Sequence, residues 1–461
     1  MKKIISVVSA LVVTGSLFAG GLVTNTNQSA LYTRLQSRNA STSIDAVYYN
    51  PAGLTKLSDG FHFSLNNQTI GQTKTITTNY DHLNGNPKDY VGKVSAPFFP
   101  GIYAVYKTGK LALSLGFNPV GGGGGADYAD GLAMFEMPIS DLKPLLTGMG
   151  LVTNTYSVDT ISFTGSSIYM GPQVNLSYKI NDILSVAAGL RVVFAKDSYE
   201  GSIVNIMINP VHPLANPTGA MVSAPVFFTN IGQPGYAAKT SDTYADAVMK
   251  GTGYTPILSL NLSPVGDLLN VALKYEFKTS LDLKTTVYDE KTAGLFIQDS
   301  VAIKDMPAML SLGVDVKPVE RLLISGSFNY YFDKNVDYDG EPDVEEVRID
   351  KNFVEAALGI QVGITDRLFA SAGWLTTVTG VNDLFQSDLK YSLNTNTFGG
   401  GFGFKINDMI DINVGGSYTI YQEASEDYSR WLIQDLVLAP TVTNTYNNRT
   451  WTAAIGLDFH F

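Results

Sequence analysis

Four histidines, His62, His82, His212 and His460, are the residues best suited to acid–base work. Nucleophilic catalysis needs a serine and an orienting group beside the imidazole, and metal-assisted hydrolysis needs paired histidines. Neither G-x-S-x-G nor H-E-x-x-H occurs. His62 and His460 stand on the inward positions of the first and last alternating segments, so the expectation is a structural contact where the ends meet. His82 and His212 fall in connections. Cysteine is absent, which removes disulfides, thiolate metal sites and a lipid anchor on cysteine. No enzymatic activity, cofactor or metal is expected. Arg191, Lys274 and Lys278 occupy polar positions of alternating stretches. Each would pair with a carboxylate such as Glu276 or Glu355, or meet the acid group of a ligand. The remaining chemistry is apolar. Leu132, Met134, Phe135, Met137 and Ile139 precede Leu142, Leu145, Leu146 and Met149, which recur at helical spacing. Ser140 or Asp141 is placed to cap that helix. Val226-Phe227-Phe228 is a second, weaker cluster. Loops facing water carry this much apolar surface when they pack on each other or bind something, and methionine-rich surfaces adapt to varied apolar ligands.

The elements that must position these residues are strands. In Thr450 to Phe461, the positions Trp451, Ala453, Ile455, Leu457, Phe459 and Phe461 alternate with Thr452, Ala454, Gly456, Asp458 and His460. A period of two is an extended strand with one apolar and one polar or small face. The same reading holds for Leu111–Asn118, Leu269–Lys278 and Ile410–Tyr421. A polar face this charged needs water, which a lumen supplies while lipid takes the apolar face. Composition agrees. Charged residues are 16% of the 461, below the ~25% of ordinary soluble proteins, yet mean hydropathy is only +0.07. The 25 tyrosines, 23 phenylalanines and 44 glycines suit aromatic girdles and a small-residue lumen. The net charge of −11 argues against a nucleic-acid partner.

Short turns at 107–110, 180–183, 263–267, 317–320, 365–367 and 407–409 carry Gly, Pro, Asn or Asp. They alternate with longer connections near 79–97, 119–163, 206–242, 286–297, 334–350, 379–389 and 424–447. Six turns and seven connections join fourteen strands. The expected fold is all-β, a 14-stranded antiparallel transmembrane barrel spanning 59–461. Such a barrel is wider than one its own side chains fill. The segment 20–58 lacks strand periodicity and is the expected interior plug. Residues 1–19 read as a signal peptide, with Lys2 and Lys3 before an apolar core and cleavage after Ala19.

Within 27–54 the chain resembles the outer-membrane long-chain fatty-acid and hydrophobic-compound transporter family, of FadL and TodX type. The residues are Asn27-Gln28-Ser29-Ala30 and Asp45-Ala46-Val47-Tyr48-Tyr49-Asn50-Pro51-Ala52-Gly53-Leu54. The resemblance implies that Asn50, Pro51 and Ala52 belong to a hatch inside the barrel. It implies passive uptake of hydrophobic molecules, chiefly long-chain fatty acids, with aromatic hydrocarbons as the alternative cargo. Capture would occur in a groove at the external mouth, formed here by the apolar loop residues named above. Release would follow hatch rearrangement and a sideways opening at a kinked third strand, next to Gly121–Gly125, with a flexible hinge for the loop as the alternative role of those glycines. The terminal Phe461 resembles the aromatic end read by the barrel-assembly machinery. A monomer embedded in outer-membrane lipid is expected. A general porin for polar solutes and a surface anchor or adhesin are the rival readings.

Overall fold

The computed structural model describes residues 22–289, 296–336, 348–433 and 437–461. The expected signal peptide, with 20 and 21, lies outside the described residues. Alternation of apolar and polar residues makes each strand two-faced, and the only closed solution with a lipid-facing exterior is a barrel. Among the described residues fourteen antiparallel strands form it. They are Gly60–Asn79, Lys88–Thr108, the third strand in two parts (Leu111–Phe117, Pro119–Tyr128), and the fourth in two parts (Tyr156–Met170, Gln173–Lys179). Leu184–Ile208, Thr243–Leu262, a divided seventh (Leu269–Glu276, Asp282–Val287) and a divided eighth (Val301–Ile303, Met309–Val319) follow. Leu322–Tyr331, Val354–Gly363, Leu368–Val378, Thr395–Lys405, Ile410–Tyr421 and Val437–His460 complete the wall. The last strand pairs with the first from His62↔His460 to Asn79↔Thr443 without a register shift.

The faces follow the sequence pattern. Leu111, Leu113, Leu115 and Phe117 are exposed while Ala112 and Ser114 between them are buried. On the last strand Trp451 and Ile455 point out, and Thr452, Ala454 and Asp458 point in.

Several expected connections are shorter than the sequence suggests. Residues 88–97 and 119–128 are strand, and the connection expected at 424–447 is largely a hairpin made by Ala424–Ile433 and Val437–His460. Spanning a bilayer takes only about 9–11 residues per strand, so these strands run well beyond it. Their outer parts lack the outward apolar alternation of a lipid-facing strand and read as loop, but backbone pairing continues. The fourth turn falls at 320–321, because Met309–Val319 extends through Pro318.

Candidate functional site

The segment 22–57 is buried along most of its length and touches strands around the whole circumference. Its first helix, Ala30–Leu35, begins where Ser29 Oγ accepts from the Tyr32 amide at 3.0 Å. Asp45 then gathers the segment's own turns. It accepts from Ser29 Oγ at 2.9 Å, Ser41 Oγ at 2.6 Å, and Arg38 Nε and Nη2 at 3.0 and 2.7 Å. Arg34 reaches outward to the wall, donating to Gln361 Oε1 at 2.7 Å, Ser371 Oγ at 2.6 Å and Asn413 Oδ1 at 3.3 Å.

The wall under this helix is paved with glycine. A Cβ built on Gly373 would lie 1.9 Å from the Leu35 carbonyl oxygen, and one on Gly399 2.4 Å from that of Thr33. On Gly415 it would meet Arg34 at 3.0 Å. Side chains at these positions would exclude the segment, so the glycines are there for close approach. The signal in the sequence was glycine recurring at inward positions of neighbouring strands.

Asn50 ends the helix Ala46–Tyr49, and Pro51 opens the 3-10 helix Pro51–Lys56. Proline suits that place, since its fixed φ fits a helical first turn and its missing N–H is not needed. Asn50 Nδ2 donates to Asn261 Oδ1 at 2.7 Å and to the Ser41 carbonyl at 3.0 Å, and its Oδ1 accepts from Ser259 Oγ at 3.2 Å. The Ala52 amide donates to Ser259 Oγ at 3.3 Å, and the Pro51 carbonyl accepts from Ser177 Oγ at 2.7 Å. The Asn-Pro-Ala triplet therefore fastens the segment to the fourth and sixth strands.

Beside it the wall is interrupted. The ladder between the second and third strands runs from Thr108↔Leu111 to Ile102↔Phe117, then resumes only at Lys93↔Asp127 and Gly92↔Tyr128. Residues 94–101 and 118–126 have no pairing with each other. The third strand instead bends inward through Gly122 and Gly124, at φ +92° and +63°, with register shifts against the fourth strand. The N-terminal segment takes up the freed backbone groups. The Asn25 amide donates to the Val120 carbonyl and the Gly122 amide to the Val23 carbonyl, both at 2.9 Å. Gln28 Nε2 donates to the Pro119 carbonyl at 2.8 Å, and Asn118 Nδ2 donates to Gln28 Oε1 at 2.6 Å.

The candidate cations are placed as follows. Arg191 is 1% exposed and donates to Glu276 at 2.6 and 3.0 Å and to Gln173 Oε1 at 2.9 and 2.7 Å. Lys274 donates to Glu276 Oε1 at 2.6 Å and to the Tyr48 carbonyl at 2.9 Å. Both cations lie over the Tyr48 ring, so this cluster also grips the segment. Lys278 sits at the break in the seventh strand, exposed, with Asp305 Oδ2 at 2.8 Å. Glu355 serves Asn329 and Tyr331 rather than Arg191.

The apolar loop residues divide. Leu142 and Leu146 pack with Phe227 and Phe228 in one loop core, with Leu145 at its edge. Leu132 and Met137 are buried against the lumen side, where Phe135 packs. Met134 and Met149 are exposed. Two helices, Ala133–Ser140 and Leu142–Gly148, run into each other. Neither Ser140 nor Asp141 caps the second with its side chain. Asp141 has helical angles because the first helix leads straight into it, and its carboxylate accepts from Tyr80 Oη at 2.5 Å. Glu136, missed in the sequence, ties this loop to the wall. It accepts from Lys88 Nζ at 2.5 Å and from the Tyr90 and Tyr156 hydroxyls, each at 2.8 Å.

His62 and His460 meet with Nδ1 atoms 2.9 Å apart across the closing pair of strands. His62 Nε2 lies 2.9 Å from the Ser58 carbonyl, which makes it the N–H of that ring. At the same end, a polar cavity of about 370 Å³ separates the segment from the wall, lined by Arg34, Arg38, Asp315, Arg321, Asp411 and Asp458 among others.

No protein-family model matches the chain, and no curated protein does. Solved structures do. A Pseudomonas aeruginosa FadL homologue superposes with a TM-score of 0.65 at 15% identity, covering 96% of this chain and 100% of that one. The toluene transporter TodX of P. putida gives 0.56 at 15% identity, covering 91% and 95%. At such identities the likeness is one of fold. This chain has the fold of the FadL- and TodX-type outer-membrane barrels.

Proposed function

We propose that the protein carries hydrophobic molecules passively across the outer membrane, with long-chain fatty acids as the principal cargo. The observation that carries this reading is the gap in the wall between 94–101 and 118–126, set against a segment that fills the lumen. A polar-solute pore needs a continuous wall and an open bore, whereas an apolar cargo gains by leaving sideways into lipid. In this reading residues 20–58 act as a hatch, with Asn50, Pro51 and Ala52 as its fastening. Capture falls to the exposed or half-buried apolar residues Met134, Phe135, Leu145 and Met149. Leu132, Met137, Leu142, Leu146, Phe227 and Phe228 shape the loops beneath them. Burial of apolar area, about 25 cal/mol per Å², draws the ligand inward, and no energy source is required. The FadL homologue and TodX support the same reading, TodX being a toluene transporter.

The test is influx into liposomes carrying the purified protein, with a long-chain fatty acid, toluene and a polar sugar compared against empty liposomes. Protein-dependent influx of fatty acid without sugar is expected. Influx of toluene alone would replace the cargo, and influx of sugar would replace the mechanism with a porin.

A further inference from the structure

Most buried lumen cations described above have a carboxylate or an array of neutral acceptors. Lys74 has neither. It is on the inward face of the first strand, 3% exposed, opposite Gly92 and Asn448 on its two neighbours. Among the described residues its ammonium makes no hydrogen bond or ion pair, and its recorded contact is with the Tyr391 ring, 5.7 Å to the centroid. Asp388 lines the same small cavity with Tyr128, Phe163 and Leu389, but its oxygens accept from the Met134 amide at 2.7 Å and Asn444 Nδ2 at 3.1 Å. A buried ammonium without an anion is costly, so an anion arriving from outside would be favoured there.

Phe163 also lines a second cavity. That one is apolar, with Phe135, Ile203, Ala245 and Phe296 around it. The Phe135 and Phe163 rings are 5.4 Å apart. A cationic chamber and an apolar one thus have Phe163 in common. Their volumes are about 10 and 30 Å³, each water-sized, so a ligand that spans both must turn Phe163 aside.

We infer that Lys74 is the head-group site for a long-chain carboxylate whose alkyl chain lies beyond Phe163, against Phe135 and Phe296. This rests on the uptake reading and sharpens it. A neutral aromatic hydrocarbon would leave the cation unmatched, while an alkyl carboxylate satisfies both chambers.

The experiment is equilibrium binding of a sixteen-carbon fatty acid and the sixteen-carbon alcohol to the full-length protein and to Lys74→Met and Lys74→Arg. Folding of each variant is checked by its heat-modifiable mobility on gels. Lys74→Met is expected to weaken carboxylate binding by about tenfold or more, the scale of a charge-assisted hydrogen bond, and to leave the alcohol unchanged. Lys74→Arg should retain the carboxylate. Unchanged carboxylate binding by Lys74→Met, or equal loss of acid and alcohol, would overturn the assignment. Absence of carboxylate binding to the unaltered protein would do the same. Liposome influx separates the two ideas. Influx indifferent to Lys74→Met removes the head-group site and keeps uptake. Lys74-dependent binding without influx keeps the site and removes uptake.

Discussion

Replacing Asn50 by alanine should loosen the N-terminal segment while the barrel stays intact. Asn50 is fully buried, and its amide serves three partners. Asn261 Oδ1 would keep a second donor, Asn270 Nδ2 at 3.0 Å. The Ser41 carbonyl would lose the Asn50 amide, and the Ser259 hydroxyl would lose its acceptor. A buried polar group left without a partner costs about 1–3 kcal/mol, so two such losses amount to about 3 kcal/mol. At 1.4 kcal/mol per factor of ten, the local opening equilibrium rises by about a hundredfold. Hydrogen exchange of the protein in lipid nanodiscs, read by mass spectrometry, resolves this. Amides of 46–57 should exchange about a hundredfold faster in Asn50→Ala, and paired strand amides should not change. Equal acceleration across the strands would show that Asn50 supports the barrel as a whole. No acceleration anywhere would refute the accounting of its hydrogen bonds.

Gly373→Val places a side chain where the Leu35 carbonyl lies, so the helix Ala30–Leu35 should become accessible to protease while the heat-modifiable barrel persists; retained protection would remove the glycine bed from the account. Gly122→Ala with Gly124→Ala forces alanine into positive φ, which is strained for a side chain, and should straighten the third strand and lower fatty-acid influx; full influx would sever the kink from transport. Glu426 lies on the external hairpin, where burial, with Asp388 and Asp383 nearby, pushes its carboxyl up to about 7. A raised acid stabilises the docked hairpin below its ordinary pKa, and that contribution disappears as pH rises through about 7. Exchange protection of the hairpin, corrected for intrinsic rates, should therefore fall between about pH 5 and 8, and Glu426→Gln should flatten the profile; an unchanged profile in that variant would assign the titration elsewhere.

The wall was legible because a lipid-facing strand writes its register into every second residue. Leu111 to Phe117 and Trp451 to Phe461 needed no partner to be read, and the meeting of His62 with His460 followed from closure alone. The outer ends of strands were not legible. At 119–128 a run of glycines, and at 425–427 a run of polar residues, carry no apolar alternation, yet backbone pairing continues. Partnerships in the lumen were legible only as choices. Arg191 had two carboxylates to take, and which one lies opposite depends on barrel stagger, which a linear pattern does not contain. Lys74 fell out for a related reason, since its polar surroundings look like those of any inward lysine until the neighbouring strands are placed. Gly373, Gly399 and Gly415 read simply as small lumen residues, because what they make room for lies more than three hundred positions earlier in the chain.

The unbroken ladder from His62↔His460 to Asn79↔Thr443 also bears on how the N-terminal segment reaches its place. The helix Ala30–Leu35 lies across the inside of that ladder: the Ala30 amide donates to Asn66 Oδ1 on the first strand, and Gly456 on the last strand makes room for Ala30. Once the ladder forms, reopening it means breaking a long run of cooperative backbone hydrogen bonds in lipid, where no water replaces them. A helix still outside after closure would have to enter by an end of the barrel rather than through this seam. The helix, bonded to the first strand through Asn66 and packed against Gly456 of the last, thus ties the seating of the segment to the closing seam.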